Sequence, residues 1–508
     1  MTQVHEDTVS PGDLRAQRLE KLAALQAAGA EPFGARVDGI ISTASARALL
    51  GSAAESTEAV VLAGRLKAKR LMGKSLFLDL ADEAGRLQLY VQRQGVGEAA
   101  FDQIKGLDIG DIVTATGTMF VTRTGEPSLR VTALRLLSKC LRPLPEKWHG
   151  LTDVEQRYRQ RYLDLICNAE VRTVFQRRVA MIRSMRRYLD GLGFMEVETP
   201  MMQSLAGGAA ARPFKTFHNA LGCPMYLRIA PELYLKRLLV GGFEKIYEIN
   251  RNFRNEGLSR RHNPEFTMLE LYQAYSDCQG MMALVEGLIV TVAQDVLGST
   301  VIERADGTRI DLTPPWRRVT YAELIRERVG SDWYDITVDE QIVRARALGL
   351  TVMDTWTREE ITHEVYEKSI EATLIQPTFV TRLPAHLVPL AKRCSDDPSV
   401  VDVYELEING QEISPGYSEL NDPLEQRARF DRQAVDNAGA EGEVNRIDED
   451  FLTALEFGMP PAGGLGLGVD RLAMLLLGAE SIRDVILFPL MRPLDRPEAA
   501  GADAVTES

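Results

Sequence analysis

The chain has 508 residues, 45% of them apolar and 26% charged, and a formal net charge of −13. These proportions describe a globular protein of two to four domains, and the acidic balance argues against a chain that coats nucleic acid non-specifically. No uninterrupted apolar run approaches the ~18 residues of a membrane span, and the opening MTQVHEDTVSPGD is polar and acidic, unlike a secretory leader. Five scattered cysteines (Cys140, Cys167, Cys223, Cys278, Cys394), with no CxxC pair and no histidine at ligand spacing, speak against disulfides or structural zinc and for a reducing cytoplasm.

In chain order, residues 1–12 are expected to be disordered. Residues 13–30 carry leucines at 14, 22 and 25 between charges and predict a helix stopped near Gly29 and Pro32. Residues 31–58 predict a connection with one short helix. From Val60 to about Leu141 the text turns to short alternating or apolar runs with Gly-Asp and Thr-Gly-Glu-Pro turns. Five short strands there predict a Greek-key barrel of the OB type, a frequent single-strand binder. A basic run, Arg65, Lys67, Lys69, Arg70 and Lys74, lies beside strands bearing Phe77 and Gln88. Phe77 is either a core aromatic or a ring on which a base can stack.

Pro143, Pro145 and Lys147 mark a linker, and 150–190 reads as helices rich in Arg and Tyr. FMEVETPMM at 194–202 predicts a short strand ending at Pro200. Residues 213–310 hold the first half of a sheet. MMALVEGLIVTVAQDVL at 281–297 is interrupted by Glu286 and Asp295 and predicts a packed helix. Residues 311–375 look like an inserted helical subdomain, strands return at 378–420, and a glycine-rich end follows at 463–490. The expected class is α+β: an N-terminal extension at 1–58, an OB barrel at 59–143, a larger domain on an antiparallel sheet at 144–496, and a disordered tail at 497–508.

Three segments carry chemistry. FEKIYEINRNFRNEGLSRRHNPEFTMLELYQAYSD (243–277) has two alternating runs around a loop with Arg254, Glu256, Arg260, Arg261, His262 and Glu265. Asn250, Asn252 and Arg254 share one face of the first run, and Phe266, Met268, Glu270 and Tyr272 share one face of the second. Such a pair presents arginine for carboxylate or phosphate, an aromatic for a purine and a carboxylate for a cation. In VVDVYELEINGQEISPGYSELNDP, Asn409-Gly410 signals a two-residue hairpin turn. If Ile408 faces Gln411, then Glu407 faces Glu412, Glu405 faces Ser414, and three acids crowd one face. A divalent cation with phosphates is the natural compensation; a solvated acidic strand is the bland alternative. GGLGLGVDRLAMLLL runs from glycine strand to helix, with Asp470-Arg471 at the junction.

The hairpin resembles motif 2 of the class II aminoacyl-tRNA synthetases, and the likeness is closest to the bacterial lysyl-tRNA synthetases. It extends from about residue 60 to about 495, through AGRLKAKRLMGKS, LRPLPEKWHGLTDVEQRYRQRYLDLI, APELYLKRLLVGGFEKIYEINRNFRNEG and GLGLGVDRLAMLL. The resemblance implies activation of L-lysine by ATP as lysyl-adenylate and transfer to the 3′ end of tRNA(Lys). By it, the barrel reads the anticodon, with Phe77 stacking and Gln88 and Arg65 nearby, and 194–202 is motif 1, which packs across a homodimer axis. Arg254 and Arg471 are the implied catalytic arginines, and Glu256, His262 and Phe266 help seat ATP. Glu405 and Glu412 match positions that hold Mg²⁺. Gly208, Glu232, Glu270, Tyr272, Tyr417 and Glu419 match the amino-acid site, with Glu232 at the α-amino group and Glu270, Tyr272 and Glu419 at the ε-ammonium.

One position departs. Family members read approximately E-I-(G/A/C)-N-(G/A)-(F/Y)-(S/T)-E-L-N-D-P where this chain reads Glu412-Ile413-Ser414-Pro415-Gly416-Tyr417-Ser418-Glu419-Leu420. Pro415 replaces an asparagine that helps hold the α-carboxylate, and proline is seldom tolerated inside a sheet. Either Arg254 alone holds the carboxylate, or the chain is a paralogue tuned to a lysine-like substrate or against an inhibitor. A ligase that lysylates a protein is a further alternative, disfavoured by the barrel; a lipid-lysylating fusion would need membrane helices. A non-catalytic module would be expected to have lost Arg254, Arg471, Glu405 or Glu412.

Overall fold

The computed structural model describes residues 11–145, 151–209, 211–436 and 447–494. The expectations for 1–10, for Lys147 and for the 497–508 tail fall outside the described residues. The chain divides after Thr152 into two compact units.

The first unit opens with the helix Pro11–Ala27, so residues 11 and 12 are helical rather than disordered. Arg18 donates from its guanidinium to the carbonyls of Ile109, Cys140 and Arg142, strapping this helix down. The connection that follows contains one short helix, Thr43–Ala48, as expected. Strands β1 (Glu55–Met72), β2 (Ser75–Ala81), β3 (Arg86–Gln92), β4 (Ile112–Val121) and β5 (Pro127–Ser138) close into a barrel in the order β1-β2-β3-β5-β4. Alternation sends Leu76, Leu78, Leu80, Leu87, Leu89 and Val91 inward. Two features differ from the sequence reading. β1 is not short: its 18 residues start at Glu55, ahead of the expected boundary, and pair first with β4 and then with β2. Helices Arg93–Val96 and Glu98–Gly106 stand between β3 and β4, with Phe101 and Ile104 packed into the barrel core.

The second unit begins with helices Val154–Arg159, Arg161–Cys167 and Ala169–Gly191. Its further strands are β6 (Met195–Glu196), β7 (Met202–Gln203), β8 (Lys215–His218), β9 (Cys223–Leu227), β10 (Lys245–Phe253), β11 (Glu265–Ala274), β12 (Val301–Glu303), β13 (Arg309–Asp311), β14 (Arg317–Thr320), β15 (Thr378–Thr381), β16 (Val403–Glu407), β17 (Glu412–Ser418) and β18 (Ala462–Gly468). Eight form one sheet, β14-β15-β16-β17-β18-β11-β10-β6, antiparallel except for the β14–β15 and β10–β6 pairs. The 194–202 segment gives the sheet only two residues. It leaves before Pro200, which lacks the N–H a ladder needs, and β7 joins a separate sheet, β7-β9-β8.

Helix Cys278–Leu297 is long and apolar enough by composition to cross a membrane, yet Met281, Val285, Leu288, Ile289 and Val292 are buried in the main core against the sheet. The helical insertion is observed as Tyr321–Val329, Val338–Ala347 and Arg358–Ser369, between the parallel neighbours β14 and β15. Each of its helices starts at a threonine cap (Thr320, Thr337, Thr357) answered by a glutamate three residues on, a capping box. Its own apolar cluster surrounds the fully buried Trp333.

Candidate active site

β10 and β11 pair in the register that places Asn252 opposite Phe266, Asn250 opposite Met268 and Glu248 opposite Glu270. The alternation read from the sequence is therefore the observed one. The neck of the intervening loop is closed by the Arg254 amide, which donates to the Pro264 carbonyl at 2.8 Å. The Arg254 guanidinium lies 5.1 Å from the centre of the Phe266 ring, and its Nε has no hydrogen-bond partner. Burial lowers its pKa, opposed by Glu256, Glu270 and Glu412. Arg254, Glu256, His262, Phe266, Glu412, Pro415 and Arg471 all line one cleft of about 160 Å³. That is small for a nucleotide site, typically ~300 Å³ or more. The Arg254 guanidinium rests over one face of the Phe266 ring.

Arg471 projects from the first turn of helix Val469–Leu477 and donates to the Glu412 carbonyl at 2.8 Å. His262 has Nδ1 2.9 Å from Ser259 Oγ and Nε2 3.4 Å from Arg471 Nη2. Burial, then the Arg471 charge, lowers the imidazole pKa, so the ring is neutral at pH 7 and accepts from Arg471. Asp470 holds the helix start in place: it accepts from the Thr267 amide at 2.7 Å and pairs with Arg178 at 2.6 Å. Arg178 carried no signal in the sequence.

The acidic hairpin turns at Asn409 and Gly410, both left-handed with φ of 58° and 62°, as a two-residue turn requires. Glu407 faces Glu412 as expected, but Glu405 faces Pro415, not Ser414. A bulge causes the correction: the register slips between Leu406 and Glu407, Leu406 faces Ser414, and Ile413 sinks into the core. The acids still crowd one another. Burial first, then Glu412 and Glu371, raises the pKa of Glu405 and pushes Glu407 up to about 10. Glu407 Oε2 is buried without a hydrogen-bond partner. Glu371, on the turn Glu371–Thr373, is a fourth acid that the sequence did not flag. Among the described residues no three side chains form a ready-made metal cage. Hard carboxylate oxygens short of positive charge nevertheless fit a divalent ion that also takes phosphate oxygens.

Glu232, Glu270, Tyr272, Tyr417 and Glu419 come together beyond this cleft. Tyr417 donates from its hydroxyl to Glu232 Oε1 at 2.6 Å. Glu270 is pushed up to about 8 by burial and then by Glu232, and burial likewise raises Glu419. Gly208, at φ 86°, gives the site room: a Cβ there would sit 3.1 Å from that of Glu232. Lys236, one turn along helix Glu232–Val240, was missed. Its Nζ lies 2.8 Å from Glu232 Oε1 and 2.5 Å from Glu419 Oε2. The second approach is an ion pair, and Glu419 Oε1 has no hydrogen-bond donor. The signal for Lys236 was its i,i+4 spacing from Glu232.

A family model described as tRNA synthetases class II (D, K and N) matches residues 153–492, and one for the OB-fold nucleic acid binding domain matches 60–137. The chain belongs to the class II tRNA synthetases. A lysine–tRNA ligase of Pelotomaculum thermopropionicum is 53% identical over 487 residues, covering 95% of each chain. One of Syntrophomonas wolfei is 52% identical over 489 residues, 96% of this chain and 99% of the relative. One of Moorella thermoacetica is 53% identical over 482 residues, 95% and 98%.

In this synthetase the sheet accommodates Pro415 by a local exchange of donors. On the β17–β18 ladder the Glu419 amide donates to Ala462 O at 2.8 Å, and Tyr417 faces Gly464. Hydrogen-bonded pairs alternate in an antiparallel ladder, so the next donor to β18 would be the amide of residue 415, aimed at Gly466. Proline has none. Ser414 Oγ donates to the Gly466 carbonyl instead, at 2.6 Å.

On the synthetase's barrel, Phe77 is half-buried on the outer face, opposite Arg70 and Tyr90, with its ring 5.0 Å from that of Tyr90. Tyr90 in turn lies 5.7 Å from Phe120, over which Arg130 rests at 4.7 Å. The core reading of Phe77 is therefore wrong, and Tyr90, Phe120 and Arg130 extend its surface. Gln88 accepts from Ser128 Oγ at 3.0 Å. Arg65 donates to the Gly110 carbonyl at 2.8 Å, so its guanidinium is tied to the barrel's own backbone.

Proposed function

We infer that the chain is a lysine–tRNA ligase, activating lysine with ATP and charging tRNA(Lys). Identity of about 50% to ligases of that name over nearly the whole chain supports the activity. The single observation that carries the residue assignment is the position of Arg254, between an acid-lined amino-acid pocket and the cleft that holds Arg471.

Lysine enters with its ammonium groups toward Glu232, Glu270 and Glu419. These acids stay unpaired with an uncharged analogue, which is the source of selectivity. Its carboxylate needs no general base, because it is already ionised at neutral pH. Phe266 offers its ring to the purine, and Arg254 spans the lysine carboxylate and the α-phosphate as charge develops. Arg471 grips the far phosphates, with His262 and Glu256 seating the nucleotide. Glu405 and Glu412 would hold Mg²⁺, which neutralises phosphate charge when bound. Pyrophosphate leaves as the adenylate forms; the terminal ribose hydroxyl of tRNA(Lys) then attacks the adenylate carbonyl, and AMP leaves with its phosphate taking up the hydroxyl proton.

The outer barrel face with Phe77, Gln88 and Arg65 receives the anticodon. A homodimer forms across the motif 1 region, where Met195, Met202, Phe217 and Leu221 are exposed. A cytoplasmic setting suits this activity. A protein-lysylating ligase is disfavoured because the matched relatives span the barrel as well. Pro415 leaves the amine-selecting acids in place, so lysine remains the substrate. The test is lysine-dependent ATP–pyrophosphate exchange and charging of purified tRNA, with sedimentation for the dimer. An enzyme that exchanges pyrophosphate with another amino acid in preference to lysine would refute the assignment.

A further inference from the structure

The amino-acid pocket contains a charge that the reaction does not use. Lys236 is fully buried, and its ammonium sits between Glu232 and Glu419 at 2.8 and 2.5 Å. Burial alone would lower its pKa, but the two carboxylates outweigh burial and raise it, so Lys236 is a cation at neutral pH. Glu232, Glu270 and Glu419 are buried around it, exposed by 6%, 6% and 1%. The other groups facing them are accounted for. Arg228 pairs with Glu248 at 2.7 Å. Arg254 reaches Glu270 from the nucleotide side and has Glu256 and Glu412 near it. Tyr272 and Tyr417 are held neutral by burial.

Three carboxyl groups against one resident ammonium leave a deficit of two positive charges. Free lysine carries two ammonium groups, and its carboxylate points to Arg254. We propose that Lys236 is a positioning residue that sets this count: it anchors Glu232 and Glu419 to each other and leaves room for the two charges of a dicationic amino acid. The proposal rests on the lysine pocket assigned above.

It has a chemical consequence. Two uncompensated carboxylates cannot both stay ionised in a dry pocket, and burial accordingly pushes both Glu270 and Glu419 up to about 8 in the empty site, so the acids hold a proton between them. Binding therefore exchanges a proton: the carboxylic acid gives its proton to solvent, and the resulting carboxylate pairs with the incoming ammonium. Single-cation analogues leave one acid protonated and release less.

The test needs no variant at first. Calorimetry of lysine binding to the full-length wild type at pH 7, in two buffers of different ionisation enthalpy, is expected to show release of about one proton per lysine. Lys236→Met, of similar shape and no charge, is then expected to move the acid limb of kcat/KM for lysine upward by about one pH unit, a tenfold loss at fixed pH. KM for ATP should hold, and Lys236→Arg should return the limb toward its original position. A purely structural lysine would lower thermal stability or kcat without moving that limb. Lysine binding to the wild type with no proton release, or a Lys236→Met limb at the wild-type pH, overturns the proposal alone. Failure of the wild type to bind lysine at all overturns it together with the ligase reading.

Discussion

Ser414 and Pro415 form a coupled pair, and removing the serine hydroxyl exposes the coupling. In the wild type, Ser414→Ala leaves the Gly466 carbonyl without its 2.6 Å donor, and Pro415 cannot supply one. A lost hydrogen bond of this kind costs about 1 kcal/mol, and up to ~3 where the acceptor is left dry. In a Pro415→Asn background the amide returns to the ladder position opposite Gly466, so the same Ser414→Ala change should cost less than about 0.5 kcal/mol. The coupling energy of the cycle is then about 1 kcal/mol, within the range for groups sharing a partner. Urea unfolding followed by tryptophan fluorescence suits the measurement, because Trp316, Trp333 and Trp356 lie in the synthetase unit. At a slope of roughly 3 kcal/mol/M, the expected midpoint shift is about 0.3 M in one background and near zero in the other. Pro415→Asn alone should also lower KM for lysine, by about 5- to 150-fold if the amide reaches the α-carboxylate. Equal cost of Ser414→Ala in both backgrounds would refute the exchange of donors.

Arg254→Ala should reduce lysine-dependent pyrophosphate exchange by at least ~100-fold, the usual effect of removing one donor to a developing anion; exchange at the native rate would remove Arg254 from the mechanism. Glu270 titrates at about 8 when folded against 4.5 as a free group. The folded state therefore holds a proton that the unfolded chain has lost between those values, and stability of the ligand-free enzyme falls as pH rises from about 5 to 8. Glu270→Gln should make that slope shallower by up to ~1.4 kcal/mol per pH unit in a thermal-midpoint series, with Glu405, Glu407 and Glu419 still contributing, and an unchanged slope would show that Glu270 is ionised throughout. Phe77→Ala should raise KM for tRNA(Lys) by the ~1–3 kcal/mol of a stacked base while leaving pyrophosphate exchange intact; a change in exchange instead would mean that the ring supports the fold.

What could be read in advance was whatever depends on period and turn chemistry. Alternation placed Phe266 and Glu270 on one face, and Asn409-Gly410 announced its turn, because a side chain's face follows from counting by two. The same counting failed across the strand pair, where the extra residue Ile413 put Pro415 rather than Ser414 opposite Glu405. Bulges are set by what packs beneath, here Ile413 in the core, and no local signal reveals that. Phe77 could have been placed outside the barrel by the same counting, since Leu76, Leu78 and Leu80 take one face of its strand while Ser75 and Asp79 share its own. Lys236 was hidden for a different reason: a lysine amid leucines on a helix reads as a surface charge, and only the tertiary fold brings Glu419 to it. Glu371 and Arg178 likewise enter the site from elements far away in sequence.

The glycines of β18 connect these observations. The Gly464-x-Gly466-x-Gly468 spacing is neither a dinucleotide fingerprint nor a P-loop, and its purpose appears in what leans against it. A Cβ at Gly464 would meet Glu419 Oε1 at 2.1 Å and the Tyr272 ring at 2.5 Å; one at Gly466 would meet Met268 at 3.2 Å and approach both Glu270 and Pro415. The strand is bare so that the acids and aromatics of its two neighbours, β11 and β17, can lie over it and converge on one pocket. Gly464→Ala should therefore act on the amino acid rather than the nucleotide. The methyl displaces Glu419, KM for lysine rises, and the ATP cleft, whose lining does not include Gly464, keeps its affinity. Equal losses for ATP and lysine in pyrophosphate exchange would mean that the whole sheet had shifted and that the glycine serves the fold instead of the pocket.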